Sequence, residues 1–133
     1  MSTLLDTNVI IRHLTQDPPE LGQAATHYLA TAKKLVLTDV IAAEMVYVLQ
    51  SFYRAPRSTI ATALRSLLAM DAVSTEREQV LLRAVDLFEL DNMDFADAYL
   101  VAWAEAHGIK QIASFDKGLG KAKTIRRVDP SRT

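Results

Sequence analysis

Cysteine is absent from the 133 residues, which excludes disulfide staples and thiolate metal sites. Glycine and proline are scarce, four of each, and no repeat, low-complexity segment or linker interrupts the chain. A single domain spanning residues 1–133 is the expectation. No apolar run reaches the ~18 residues that a membrane span requires. The first residues carry no basic stretch, and Asp6 breaks their short apolar start, which argues against a secretory leader. These absences predict a cytoplasmic protein with no membrane association. A strong net charge is missing too: the value of −1 argues against a generic nucleic-acid binder. His13, His27 and His107 have no metal-ligand spacing and read as surface or packing residues.

The charge that is present is unevenly placed. Residues 1–106 hold eight basic and fourteen acidic side chains, a net −6, whereas residues 107–133 hold seven and two, a net +5. An acidic body with a basic end suits a metal in one place and a phosphate backbone in another. Hydrophobic residues make up 50% of the chain, and their pattern alternates between short runs and helical stripes. Thr3–Asp6, Leu35–Thr38 and Gln111–Asp116 read as buried strands, Ala72–Ser74 as an edge strand, and Thr124-Ile125 as the seed of a last one. Helices are expected over 9–14, 20–32, 40–52 with Asp39 as N-cap, 60–70 with Ser58 as cap, 76–90, and from Phe95 to a stop at Gly108. Lys117–Gly120 reads as a loop. Strands alternating with helices predict an α/β fold with a mostly parallel sheet, whose strand ends form the ligand-binding edge.

Five acids stand out. Asp94 is placed as N-cap of the helix from Phe95, and Asp97 lies where a capping box carries an acid, so both have an ordinary use at a helix N-terminus. Yet Asp97 shares its helical face with Leu100, Val101 and Ala104, and an inward carboxylate needs a partner, a proton or a metal. Glu44 has Val40, Ile41, Tyr47 and Val48 as helical neighbours and is expected to point inward as well. The alternative is a surface glutamate on a rotated stripe, because this helix is apolar nearly all round. Asp6 and Asp116 each close a predicted strand, where either alone would serve as a turn or helix cap.

Taken in order, Asp6-Thr7-Asn8-Val9-Ile10, Glu44 in an alanine-rich helix, Asp94-Phe95-Ala96-Asp97-Ala98 and Ser114-Phe115-Asp116-Lys117 resemble the PIN domain. The length and the ending resemble its VapC subfamily, the toxins of toxin–antitoxin pairs. The likeness runs from about residue 3 to residue 128. It implies a three-layer α/β/α sandwich around a mostly parallel central sheet. It also implies a divalent-metal ribonuclease site built by Asp6, Glu44, Asp97 and Asp116, with Asn8, Asp94 and Ser114 supporting and Asp94 peripheral. The implied partners are an RNA substrate, a VapB-like antitoxin and a second copy in a homodimer.

Mg²⁺ or Mn²⁺ suits such a site, because hard cations take oxygen ligands and keep several waters, so neither His nor Cys is needed. Acids alone would repel RNA, and Arg12, Lys117, Lys121 and Lys123 are the candidate RNA-binding residues. Tyr47, Tyr53 and Tyr99 are aromatic enough to stack bases, though packing roles compete for them. Val46, Leu49, Phe52, Tyr53, Leu64, Leu67 and Leu68 offer apolar helix surface for a dimer or antitoxin contact. Two other functions fit less of the pattern. A haloacid-dehalogenase-like phosphohydrolase would use Asp6 as nucleophile, but its motif wants a second Asp where this chain has Asn8. A non-catalytic RNA- or partner-binding module would bind without metal-dependent cleavage.

Overall fold

Short runs of two or three residues become the sheets; Leu35 and Val73 are buried as strand residues, whereas Thr3, Leu4, Gln111 and Ala113, expected in buried strands, are exposed. In the computed structural model, which describes residues 1–132, Thr3–Leu4 (β1), Leu35–Val36 (β2) and Val73–Ser74 (β3) pair in the order β1-β2-β3. Both pairings are parallel, with Thr3 opposite Leu35 and Leu35 opposite Val73. Gln111–Ala113 (β4) and Arg126–Val128 (β5) form a second, two-stranded parallel sheet. With six α-helices among the described residues, the chain is an α/β protein with parallel sheets, as its sequence predicts.

The chain divides into two compact units, Met1–Glu78 and Gln79–Thr133. In the first, Thr7–Thr15 (α1) packs against Pro19–Thr31 (α2) and against Asp39–Ser51 (α3), which in turn meets Arg57–Leu68 (α4). Proline at the start of α2 costs no hydrogen bond, since the first helical N–H has no partner in any case. Leu5, Ile10, Leu35, Leu37, Met45, Val46, Ile60 and Leu64 are buried there, the side chains whose removal from water drives the fold.

Glu78–Leu90 (α5) starts at the last residue of the first unit; in the second unit it contributes Val80, Leu81, Val85 and Phe88 to the buried set, and Phe95–Ala106 (α6) contributes Phe95, Ala98 and Val101. The rings of Phe88 and Phe95 meet edge to face, 6.0 Å between centroids at 71°, an arrangement that suits their quadrupoles. α6 starts where an apolar, alanine-rich run follows Asp94 and ends at His107, after which Gly108 takes φ 70°. That left-handed turn is available to glycine at little cost.

Several boundaries differ from the sequence reading. Thr38, not Asp39, caps α3, its hydroxyl accepting the Ile41 N–H at 3.3 Å, and Asp39 becomes the first helical residue. α4 starts behind Pro56, so Ser58 lies inside the helix. The last strand is Arg126–Val128, after Thr124-Ile125, and Lys117–Lys121 is a 3₁₀ turn. Glu44 is exposed on α3, along with Val40 and Tyr47, so the rotated stripe is the one realised. Of the proposed contact surface, Val46, Leu49, Leu64, Leu67 and Leu68 are consumed by the chain's own interior; Phe52 and Tyr53 remain exposed.

No helix among the described residues is long and apolar enough to cross a membrane.

Candidate functional site

Two local structures bring carboxylates together in the second unit. Asp94 stands at the N-cap position of α6, where its side chain makes no capping hydrogen bond. Asp97, one turn in, is half-buried. Its neighbours Val101 and Ala104 face the interior as expected, whereas Leu100 is exposed. After β4 the chain turns sharply at Asp116. Its N–H donates to Ser114 Oγ at 2.9 Å, and its Oδ1 accepts the Gly118 N–H at 2.8 Å. Arg127, on β5, donates from Nη1 to the Ser114 carbonyl at 2.8 Å and fixes the same turn from beneath.

The outcome is a cluster: one carboxylate oxygen from each of Asp94, Asp97 and Asp116 lies within 4.8 Å of the others. Asp94, expected at the periphery, is one of the three. Crowding leaves an electrostatic mark. Burial, then the hydrogen bond and charge of Asp116, push the Asp97 carboxyl up from 3.8 to about 6. Asp116 moves the other way, held low first by the Gly118 N–H and then by its hydrogen bond to Asp97. Of the two acids Asp97 is therefore the first to take a proton as pH falls, the usual outcome when like charges approach. Lys121 lies near enough to ease the repulsion at both, and its Nζ donates to the Asn92 carbonyl at 3.0 Å.

Gly118 is part of this geometry, and the sequence reading passed over it. Its backbone lies outside the left-handed region, so glycine is not needed for conformation. A Cβ built there would meet Asp116 Oδ1 at 3.0 Å and Asp97 Oδ2 at 3.6 Å. The absent side chain keeps a cradle open against both carboxylates. The available signal was a glycine two residues after an acid, where an aspartate side chain commonly takes a backbone N–H.

Three oxygen donors of like charge with room beside them fit a hard divalent cation. Asp94, Asp97 and Asp116 would hold such an ion.

The remaining predicted residues have their own places. Asp6, exposed, is the N-cap of α1 and makes no side-chain capping bond. Glu44 and Asn8 line a pocket of the first unit together with Arg12, whose Nη1 donates to the Asp17 carbonyl at 2.7 Å. Lys117 and Lys123 are exposed. His13 Nδ1 bonds with Thr26 Oγ1 at 2.7 Å, and the His107 ring stacks on Trp103 at 3.6 Å between centroids, packing roles both.

Comparison with protein-family models gives a match to the PIN domain over residues 3–124. No curated protein matches the chain.

Proposed function

The chain belongs to the PIN-domain family, and from that premise we propose that it is a divalent-metal-dependent endoribonuclease, the toxin of a VapC-type toxin–antitoxin pair. Family members are generally metal-dependent nucleases, so hydrolysis of a phosphodiester is the chemistry that the fold brings with it. The observation that carries the reading is the Asp94, Asp97 and Asp116 cluster, which brings three carboxylates within 4.8 Å of one another and raises the Asp97 carboxyl. A fold does not retain such crowding for stability, since it costs folding free energy.

When bound, Mg²⁺ or Mn²⁺ would activate water and neutralise charge building on the phosphoryl group. The chain's own residues do the rest. Ser114, Gly118 and Arg127 fix the turn that presents the Asp116 carboxylate, and α6 presents Asp97 from its first turn. Asp6 and Glu44 join the same activity in this proposal through the family motif, with Asn8 supporting. Arg12, Lys117, Lys121 and Lys123 supply cations for the RNA backbone, Lys121 being tied to Asn92 as well.

A cytoplasmic location, a VapB-like antitoxin and a homodimer complete the proposal. Val40 and Tyr47, exposed at 73% and 63% on one side of α3, support a protein contact there. The test is cleavage of single-stranded RNA by purified protein, silent in EDTA and restored by Mg²⁺ or Mn²⁺. Cleavage that persists in EDTA would refute the metal requirement, and binding without cleavage in any metal would favour a non-catalytic module.

A further inference from the structure

Beside Glu44, the first unit has a pocket of about 230 Å³ whose wall is built from Thr7, Asn8, Arg12, Glu44, Phe52 and Tyr53. Phe52 is 75% exposed and Tyr53 43%, a large apolar area to leave in water where the same helix hides Met45, Val46 and Leu49. Their backbone is tied down. Phe52 N–H donates to the Val48 carbonyl and Ala55 N–H to the Leu49 carbonyl, both at 3.0 Å, and Arg54 between them takes φ 51°. The aromatic pair is therefore presented by a fixed helix end. In the same wall, the Arg12 guanidinium is oriented by its bond to the Asp17 carbonyl and retains further N–H donors. Thr7 is buried, and its Oγ1 has no hydrogen-bond partner among the described residues. An unpaired buried hydroxyl is costly unless something polar enters beside it.

We propose that this pocket is a subsite for one unpaired base of a single-stranded RNA. The inference rests on the ribonuclease reading and adds to it where the substrate lies and in what form. The aromatic pair, Arg12, Asn8 and Thr7 each match a part of a nucleotide. Aromatic faces stack a base, the guanidinium takes the adjoining phosphate, and the Asn8 amide and Thr7 hydroxyl meet polar edges. The volume lies below that of pockets for larger ligands and suits a single ring system. A protein helix seated here would place apolar side chains against Arg12 and Glu44. A base paired in a duplex cannot enter, so the RNA must be single-stranded at this point.

The experiment measures anisotropy of a labelled single-stranded oligouridylate and of its duplex with oligoadenylate, in Mg²⁺, on full-length protein carrying Asp97→Asn to suppress cleavage. Adding Phe52→Ala should weaken single-strand binding ~5–150-fold, the factor for losing one stacked base. Phe52→Trp should restore it, with indole fluorescence quenched by the bound strand. The duplex should bind more weakly than the single strand, and Phe52→Ala should erase that difference. Because Phe52 is exposed, melting temperature serves as the folding control. If Phe52→Ala binds the single strand as tightly as its parent, the subsite is refuted while the ribonuclease reading stands. A lighter particle by light scattering, with RNA affinity unchanged, would refute it in favour of a protein contact. Failure of wild-type protein to bind or cleave any single strand would overturn the ribonuclease reading, and the subsite with it.

Discussion

Replacing Asp97 by asparagine should stabilise the metal-free protein, and the size of the gain should depend on pH. In the folded chain the Asp97 carboxyl is raised from 3.8 to about 6, by burial first and by Asp116 second. At face value this rise is worth ~3 kcal/mol. Asp97 is only half-buried, and solvent screening brings the figure to ~1 kcal/mol. The sign follows from proton binding. Between pH 3.8 and about 6 the folded state holds a proton that the unfolded state has released, so stability falls as pH rises through that window. Below it the penalty is absent, and above it the penalty is complete. Asp97→Asn should therefore melt ~3–5 °C above wild type at neutral pH in EDTA, with the gain shrinking towards zero near the bottom of the window. Asp116→Asn should show no such gain, because Asp116 is held low by the Gly118 N–H and its replacement weakens a native bond. The assay is thermal denaturation followed by circular dichroism across pH, at fixed ionic strength. A variant that melts below wild type at neutral pH would refute carboxylate crowding and leave Asp97 as a helix-terminal stabiliser, and a gain independent of pH would refute the crowding as its cause.

The other predictions use the same unit. Mg²⁺ at ~100 times its dissociation constant should stabilise wild-type protein by ~2.7 kcal/mol, and Asp97→Asn should lose most of that response in a melting titration. Gly118→Ala places a methyl 3.0 Å from Asp116 Oδ1 and should weaken Mg²⁺ binding in calorimetry about tenfold, Mg²⁺ being strict about ligand geometry. Gly120→Ala, where a Cβ meets nothing within 4 Å, should bind as wild type does, and equal behaviour of the two would deny Gly118 its role. Arg83 grips Glu105 through Nε at 2.8 Å and Nη2 at 3.2 Å, and chiefly this holds the Glu105 carboxyl low, with Thr124 helping. Arg83→Met should cost ~0.5–1 kcal/mol at neutral pH, less as pH falls through the Glu105 titration, and should leave the Mg²⁺ response intact; a blunted response would count against it.

Where sequence and structure agree, one local rule dominated. α6 was legible because an acid at the cap, an apolar run and a closing glycine all point to the same helix, and it spans Phe95–Ala106 as those signals require. β3 was legible as an edge because Val73–Ser74 is short, and among the described residues it pairs with β2 alone. α3 was harder. Thr38 and Asp39 are both good caps, and the choice fell to the hydroxyl, which sits three residues before the Ile41 N–H. An apolar helix also has no phase of its own, so Glu44 read as inward and is exposed. β5 hid behind its charges: Arg126-Arg127-Val128 carries no apolar alternation, and the strand exists because Gln111–Ala113 offers it a parallel partner.

The candidate site shows the same division. The acids were visible as residue types at strand ends and helix starts, and Asp97 and Asp116 do share one cluster. The part played by Asp94 was not visible, because the cap position explains it equally well until the three carboxylates are seen together. Gly118 was hidden for a different reason: its contribution is a volume left empty against two carboxylates, which no composition or periodicity encodes.

Cleavage of a single-stranded RNA by wild-type protein and by Asp97→Asn, each confirmed folded and each assayed in EDTA and in Mg²⁺, tests the central claim most directly. Wild-type protein should cut only with Mg²⁺, and Asp97→Asn should lose at least ~100-fold in rate while melting as a folded domain. Equal Mg²⁺-dependent cleavage by the two proteins would contradict the assignment of the carboxylate cluster as the centre of the reaction.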